Sequence, residues 1–305
     1  MDPHHLRTFV TVARLASFSE AARALGYTQS AVSQHIAALE SDLGLPLLGR
    51  RPVLPTRAGD RLLEHAGSLL LRLDAARADL ARFAAAPRET LTLAASPLAL
   101  HPRTLAALPA VGVTLRTLPR DEVPAAVAAG TADLGLVDGL AAPSDPLRLP
   151  DVAPLTAVRV AEEPVAVVLP AGHPLSARPG LRLADLVDAR WLDAPDAGIP
   201  LDRLRSAHGG PSGQGFRTAL RHEGTDTRVV GALAAAGHGL TLLPVSVAAT
   251  VAGAVAVPLS APRLVHRTEL LHTGAEPVGT AAELVRRLTA GARPITGRTD
   301  RHGTP

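Results

Sequence analysis

The sequence predicts an α/β chain headed by a small all-α winged helix-turn-helix, with one long helix between the two parts. Three observations predict it. The first sixty residues carry two short capped helices around a tight glycine turn. Residues 60–86 hold one narrow apolar stripe at helical spacing. From Glu89 onward, short apolar runs alternate with helical patterns. At 305 residues, 47% of them hydrophobic, the chain is long enough for more than one buried core.

Composition narrows the chemistry. Aromatics make up only 2%, so the cores must be built from Leu, Val and Ala. There is no lysine, and every fixed basic charge is arginine. The isoelectric point near 10.6 looks like a nucleic-acid signal, but the net charge is only +3. With no Cys, no Lys and one Tyr, almost nothing titrates between neutrality and arginine. Charge balance alone therefore says little about DNA. The absence of cysteine excludes disulfides, thiolate metal sites and a cysteine nucleophile, and the absence of lysine excludes a P-loop, a Schiff base and a Ser-Lys pair. Gly210-Pro211-Ser212-Gly213-Gln214 lacks the last glycine of a nucleophile elbow. The 12 histidines form no His-x-x-x-His pair on a helix, so no metal and no cofactor are expected. Met1-Asp2-Pro3-His4-His5 does not open a signal peptide, and no uncharged apolar run reaches the roughly 18 residues a spanning helix needs. A cytoplasmic chain without a membrane partner is expected.

The N-terminal elements follow in order. Leu6, Phe9, Val10, Val12 and Ala13 recur at helical spacing. Ser17-Phe18-Ser19-Glu20 is a capping box that opens a short Ala-rich helix, Phe18 to Leu25. Gly26-Tyr27 breaks it, Thr28 can cap a third helix running to about Asp42, and Gly44 stops that one. Two short helices around a tight turn make a helix-turn-helix. On the third helix Val32, Ile36, Leu39 and Leu43 fall within an arc of roughly 60°, the predicted core stripe. Gln29, Ser30, Ser33, Gln34 and Ala37 occupy a separate arc of about 140°. That face of short polar side chains suits a major groove, where Gln can pair with adenine and Ser with bases or phosphates. Short apolar segments around Arg50, Arg51 and Pro52 read as a hairpin wing, and with Arg57 they supply three arginines for phosphates. Ser17, Thr28 and Thr56 join the candidate DNA contacts.

Past the wing, Leu62, Ala66, Leu69, Leu73, Ala76, Leu80 and Phe83 repeat at alternating spacings of four and three. That heptad seam needs a second helix to cover it, either one of its own domain or a partner's, the latter predicting dimerisation. Pro87 ends the helix. Strands are then expected at Thr90–Ala94, Val111–Leu118, Leu134–Val137, Val165–Leu169, Leu240–Leu243, Val255–Pro258 and Thr268–His272. Helices fit Thr104–Leu108, Asp121–Ala129, Leu183–Val187, Arg228–Ala236 and Thr280–Ala290. The alternation argues for parallel sheets covered on both faces.

Here a resemblance becomes specific. Leu6-Arg7-Thr8-Phe9, Ser17-Phe18-Ser19-Glu20-Ala21-Ala22, Thr28 through Ile36, Leu39-Glu40, Leu43-Gly44, Leu47-Leu48, Arg50 and Pro55-Thr56-Arg57-Ala58-Gly59 resemble the N-terminal domain of LysR-type regulators. Gly130 through Leu136, Leu169 through Leu175 and Ala235 through Pro244 resemble that family's effector domain. The chain departs from the family at Gln34 and Ala37, where a basic residue is common, and at Leu48, where Phe is common. The first two departures remove phosphate contacts and shift the load to the wing and to multiple subunits.

The resemblance implies two Rossmann-like lobes arranged like a periplasmic binding protein. The domains expected are 1–59 for DNA binding, 60–88 for the dimerising helix, 89–295 for the effector domain and 296–305 as a flexible tail. Lobe one takes 89–155 and 260–295, and lobe two takes 160–253, with crossings near Leu155–Val160 and Gly253–Leu259. It also implies a sequence-specific regulator of transcription bound to double-stranded DNA and controlled by a small-molecule effector in the cleft. Such a protein is a homodimer, assembled further into a homotetramer, and it meets RNA polymerase. By position, Ser96 and Arg120 from lobe one and Asp196 and Thr225 from lobe two are the effector candidates. Arg120 could hold an organic acid, but Asp121 and Glu122 beside it fit a plain surface charge equally, and Asp196 would favour a polar or amine-bearing ligand. Two other classes compete: an architectural DNA-binding protein without effector, and an enzyme carrying a regulatory DNA-binding domain.

Overall fold

The computed structural model describes residues 1–49, 51–84, 90–143, 145–150, 155–209, 215–273 and 276–290, without the side chains of 79 and 82–84. The chain forms two compact units, one through the long helix and one comprising the remainder.

The first unit holds α1 (Pro3–Leu15), α2 (Phe18–Leu25), α3 (Gln29–Leu43) and α4 (Arg57–Ala84). Local signals set each boundary. The Ser17 hydroxyl accepts the Glu20 amide at 3.2 Å and the Thr28 hydroxyl accepts the Ala31 amide at 3.1 Å. Gly26 and Gly44 close α2 and α3 in left-handed conformation. Phe9, Val12, Ala21, Val32, Ile36 and Leu39 form one core with Leu47, Leu48, Ala66 and Leu70. Leu43, predicted in the α3 stripe, is exposed instead, because it is the last helical residue before the chain turns away at Gly44.

The wing is smaller than a full hairpin: a single antiparallel bridge joins Leu48 and Pro55, flanked by bonds from Gly49 N to Leu54 O and from Thr56 N to Leu47 O. Glu40 on α3 anchors its base by accepting the amides of Leu47 and Leu48. A Cβ on Gly59 would lie 2.2 Å from the Leu47 carbonyl oxygen, so only glycine lets α4 start this close to the wing. Arg7 on α1 and Asp74 on α4 then meet through both carboxylate oxygens at 2.8 and 2.9 Å. The predicted seam divides accordingly. Leu62 and Ala66 belong to the domain's own core, whereas Leu69 is 43% and Leu80 71% exposed. Phe83 lies outside the described side chains.

The second unit contains β1 (Leu91–Ala95), α5 (Pro102–Ala107), β2 (Val113–Thr117), α6 (Glu122–Ala128), β3 (Leu134–Ala141), β4 (Leu155–Pro170), β5 (Leu181–Arg182), β6 (Arg190–Asp193), α7 (Leu201–His208), β7 (Arg217–Arg221), α8 (Thr227–Ala235), β8 (Thr241–Pro244), α9 (Val245–Ala248), β9 (Ala254–Ala261), β10 (Val265–Thr273) and α10 (Gly279–Thr289). The main sheet runs β2-β1-β3-β10-β4-β9-β5, with β8 also on β4, and β6 pairs with β7. It is mixed rather than parallel. β1 is parallel to β2 and β3, but β10 is antiparallel to β3 and β4, and β4 is antiparallel to β8 and β9.

Two lobes result, with Leu91, Leu93, Leu134, Leu136 and Leu270 in the core of the first and Trp191, Phe216 and Val165–Leu169 in the core of the second. β4 serves both lobes. It pairs with β10 up to Pro164 and with β8 and β9 from Val165 onward. The chain returns at 262–264, between β9 and β10. Both crossings lie a few residues beyond the positions read from sequence; at the first, an unbroken 16-residue strand gives no compositional break where it changes lobes.

Candidate nucleic-acid interface and ligand cavity

The polar arc of α3 is solvent-facing as its angles predicted: Gln29, Ser30, Ser33, Gln34 and Ala37 are exposed, while Val32, Ile36 and Leu39 are buried. Ser30, Ser33 and Gln34 make no side-chain hydrogen bond among the described residues, so their donors and acceptors face outward. Gln29 is pre-set: its Oε1 accepts the Ser19 hydroxyl of α2 at 3.1 Å, which leaves its NH2 pointing away. Ser17 and Thr28 spend an oxygen on caps at the mouths of α2 and α3. Thr56 donates to the Pro46 carbonyl at 2.7 Å and accepts the Gly59 amide at 3.1 Å, so its hydroxyl holds the wing to α4. Arg51 and Arg57 are exposed, and Arg50 lies outside the described residues.

Sequence reasoning missed His35. It faces inward from α3, its Nδ1 3.1 Å from the Thr8 hydroxyl and its ring 4.9 Å from His5 and 5.2 Å from Tyr27. Burial pushes its pKa down, with His5 and His4 adding and Asp2 opposing. The signal available was a histidine one turn from the polar arc, beside Ile36.

In the second unit, four side chains converge in lobe one. Ser96 follows β1 and is fully buried, and its hydroxyl donates to the Asp138 carboxylate at 2.5 Å. Arg120, after β2, donates from Nε to the Asp138 carbonyl and from Nη2 to its carboxylate, both at 2.8 Å. His266 on β10 lies 3.0 Å from the same carboxylate. Burial alone would raise the Asp138 pKa, but Arg120 first, then His266 and Ser96, outweigh it and hold the carboxyl well below the usual range. Arg120 also reaches lobe two, donating to the Gly198 carbonyl at 3.2 Å.

Arg120 and Asp138 lie on the wall of a cavity of about 420 Å³ between the lobes. Lobe one adds residues 139–142 and 145–150, including the exposed Arg148, and lobe two adds Pro200, Arg203, Ser206 and Ala207. Leu140, Leu147, Leu149 and Leu264 make part of it apolar. Of the four effector candidates, only Arg120 lines this space. Ser96 lies behind it, bonded to Asp138, while Asp196 and Thr225 are partly buried elsewhere on lobe two. Asp138, Arg148 and Arg203 were not singled out from sequence. A lone acid after the apolar run Leu134–Val137 was the legible signal for Asp138.

No helix among the described residues is long and apolar enough to cross a membrane.

Comparison with known proteins agrees with this geometry. Residues 3–60 match the family model for bacterial regulatory helix-turn-helix proteins of the lysR family, and residues 84–292 match the LysR substrate binding domain. The chain is 30% identical over 262 residues to the uncharacterised HTH-type transcriptional regulator YnfL of Escherichia coli K12, covering 81% of this chain and 83% of that protein. It is 35% identical over 193 residues to a probable hydrogen peroxide-inducible genes activator of Mycobacterium avium, 59% of each chain. Full-length CbnR, solved in complex with its target DNA, superposes with a TM-score of 0.52 at 22% identity, covering 96% of this chain and 100% of CbnR. The chain belongs to the LysR family: it is a transcriptional regulator with an N-terminal helix-turn-helix DNA-binding domain and a C-terminal effector-binding domain.

Proposed function

We propose that the protein is a homodimer, paired again into a homotetramer, that reads double-stranded DNA through α3 and the wing and is switched by a small molecule in the 420 Å³ cavity. The observation that carries this reading is the inter-lobe cavity, walled by charged side chains of both lobes. Gln29, Ser30, Ser33 and Gln34 read base edges, with Ser17, Thr28, Arg50, Arg51, Thr56 and Arg57 at the backbone. The exposed Leu69 and Leu80 support pairing through α4. A bound effector changes the angle between lobes, hence the spacing of the DNA-reading pairs and the bend presented to RNA polymerase.

The chemistry of the cavity narrows the effector. With no cysteine in the chain, an input read by thiol oxidation is closed to it, whatever the inducer of the mycobacterial relative. Arg120 is already neutralised by Asp138. Arg148 of lobe one and Arg203 of lobe two, both lining the cavity with Leu140, Leu147, Leu149 and Leu264, therefore become the anchors for an acid. Among the described residues Arg203 has only its neighbour Asp202, at 3.9 Å, as a carboxylate partner.

The test is thermal unfolding of the full chain in a panel of small mono- and dicarboxylates. A member of the panel should raise the melting temperature in proportion to log concentration, and the R148A/R203A double variant should lose that rise. No stabilisation by any acid, or stabilisation that survives the double variant, would remove the acid reading.

A further inference from the structure

The cavity wall at Asp145 and Leu147 is held from behind by β10, which also grips Pro143. Arg267 is 2% exposed although it carries a full charge. Its guanidinium divides among three acceptors: Nη1 donates to the Asp145 carbonyl, and Nη2 donates at 2.8 Å both to the Pro143 carbonyl and to the Glu162 carboxylate. Two residues further along β10, Glu269 accepts the Leu147 amide at 3.1 Å. The Leu147 side chain rests on Gly139, where a Cβ would come within 2.8 Å of Leu147 Cδ2. The wall is thus seated at Asp145 and Leu147, and the chain leading into it at Pro143. Arg267 Nε is buried without a partner among the described residues, so the guanidinium is oriented by these acceptors at the expense of one of its own donors.

The strand register gives Arg267 a second role. It lies directly opposite Gly139 on one side and opposite Glu162 on the other. Gly139, Arg267 and Glu162 therefore form one cross-strand row, and opposite residues of antiparallel strands share a face. Glu162 stands two residues before Pro164, the last residue of β4 that pairs in lobe one. Arg267 stands two residues after Val265, where β10 begins once the chain has returned from lobe two. The ion pair therefore clasps both segments that cross between the lobes, immediately on the lobe-one side.

We propose that Arg267 is the positioning residue that ties the cavity wall to the inter-lobe crossover, so that a displacement of the wall at Asp145 and Leu147 is passed to the angle between lobes through the Arg267–Glu162 pair. This rests on the reading that the cavity receives the effector. A buried charge whose bonds all end on the wall or the crossover has no slack to absorb such a displacement locally, because moving either end unpairs it in a low-dielectric site.

The cysteine-free sequence makes the test direct, since any introduced thiol is the sole labelling site. A nitroxide at Arg148→Cys reads wall mobility from its line shape. A pair at Arg103→Cys and Arg178→Cys, one exposed position in each lobe, reads the inter-lobe distance distribution, with labelled chains diluted in unlabelled ones. Arg267→Met should convert the wall label from immobilised to mobile and broaden the inter-lobe distribution. If the wall is freed while the distribution keeps its width, Arg267 is a loop brace only and the proposal fails. Should Arg267→Met not fold, Glu162→Gln separates the two roles: it keeps both carbonyl bonds and should broaden the distribution with the wall label still immobilised. An unchanged distribution in Glu162→Gln overturns the proposal equally. None of these readouts uses a ligand, so a cavity that binds no effector would leave them standing and count against the effector reading alone.

Discussion

Arg120 and Asp138 are bonded twice, guanidinium Nε to main-chain carbonyl and Nη2 to carboxylate, in a site where the Asp138 side chain has no solvent exposure. An ion this deeply buried is tolerable only with its partners in place. Asp138→Asn should therefore destabilise the effector domain by about 3 kcal/mol, because Arg120 and His266 are left without their anion. Urea unfolding reads it, as a lower midpoint at unchanged slope. The depressed carboxyl pKa also fixes a pH window. Its stabilisation is fully present above the ordinary carboxylate value of 3.8 and is lost as pH falls below it. The acid limb of the stability curve should be shallower in the variant.

A second window belongs to two histidines. Burial lowers the pKa of His35, with His4 and His5 adding, and lowers that of His101, with His266 and Arg103 adding and Glu163 opposing. The lowered values favour the neutral imidazoles, so their stabilisation is complete above 6.5 and declines as pH drops below that value. Between pH 7.5 and 5.5 the melting temperature should fall less in the H35Q/H101Q double variant than in the parent. An equal fall in both would show that neither imidazole resists protonation.

The DNA face predicts a salt dependence. Gln34 is exposed at the end of the polar arc and carries no charge. Gln34→Arg should add one phosphate contact and steepen the slope of log affinity against log salt by about 0.9. Ser33→Ala should weaken binding to a specific site while leaving that slope unchanged, as expected of a base contact. Affinities measured across a salt series separate the two.

On α4 an exposed stripe residue and a core residue predict opposite outcomes a few turns apart. Leu80→Asp should lower the association state, seen by sedimentation, with the helix-turn-helix still folded, because Leu80 is exposed. Leu70→Asp should unfold the N-terminal unit, since Leu70 lies in its core and a carboxylate there would have no partner. Loss of association in neither variant would remove α4 from the interface.

Much of the DNA-binding unit was legible because its signals are local. Ser17, Gly26, Thr28 and Gly44 cap helices within three or four residues of themselves, and one turn of helix suffices to sort Val32 from Ser33. The effector domain was less legible where its logic is long-range. The strand expected at Thr268–His272 begins earlier, at Val265, and the polar His266, Arg267 and Glu269 are buried in it because their partners stand more than a hundred residues away in Asp138, Asp145 and Leu147. Strands β6 and β7 and helix α7 escaped notice since they are short and arginine-rich at their exposed positions. Ser96 was found by its place after the first strand, but its role as a partner of Asp138 could not be read without β3 beside it.

The most direct test of the central claim is a footprint of the full-length protein on its own upstream intergenic DNA at fixed salt. Recognition through α3 predicts protection of an interrupted palindrome over several helical turns, lost when Gln29 and Ser33 are both replaced by Ala. Protection no stronger than on random DNA, unchanged by those substitutions, would contradict sequence-specific recognition and favour an architectural DNA-binding protein.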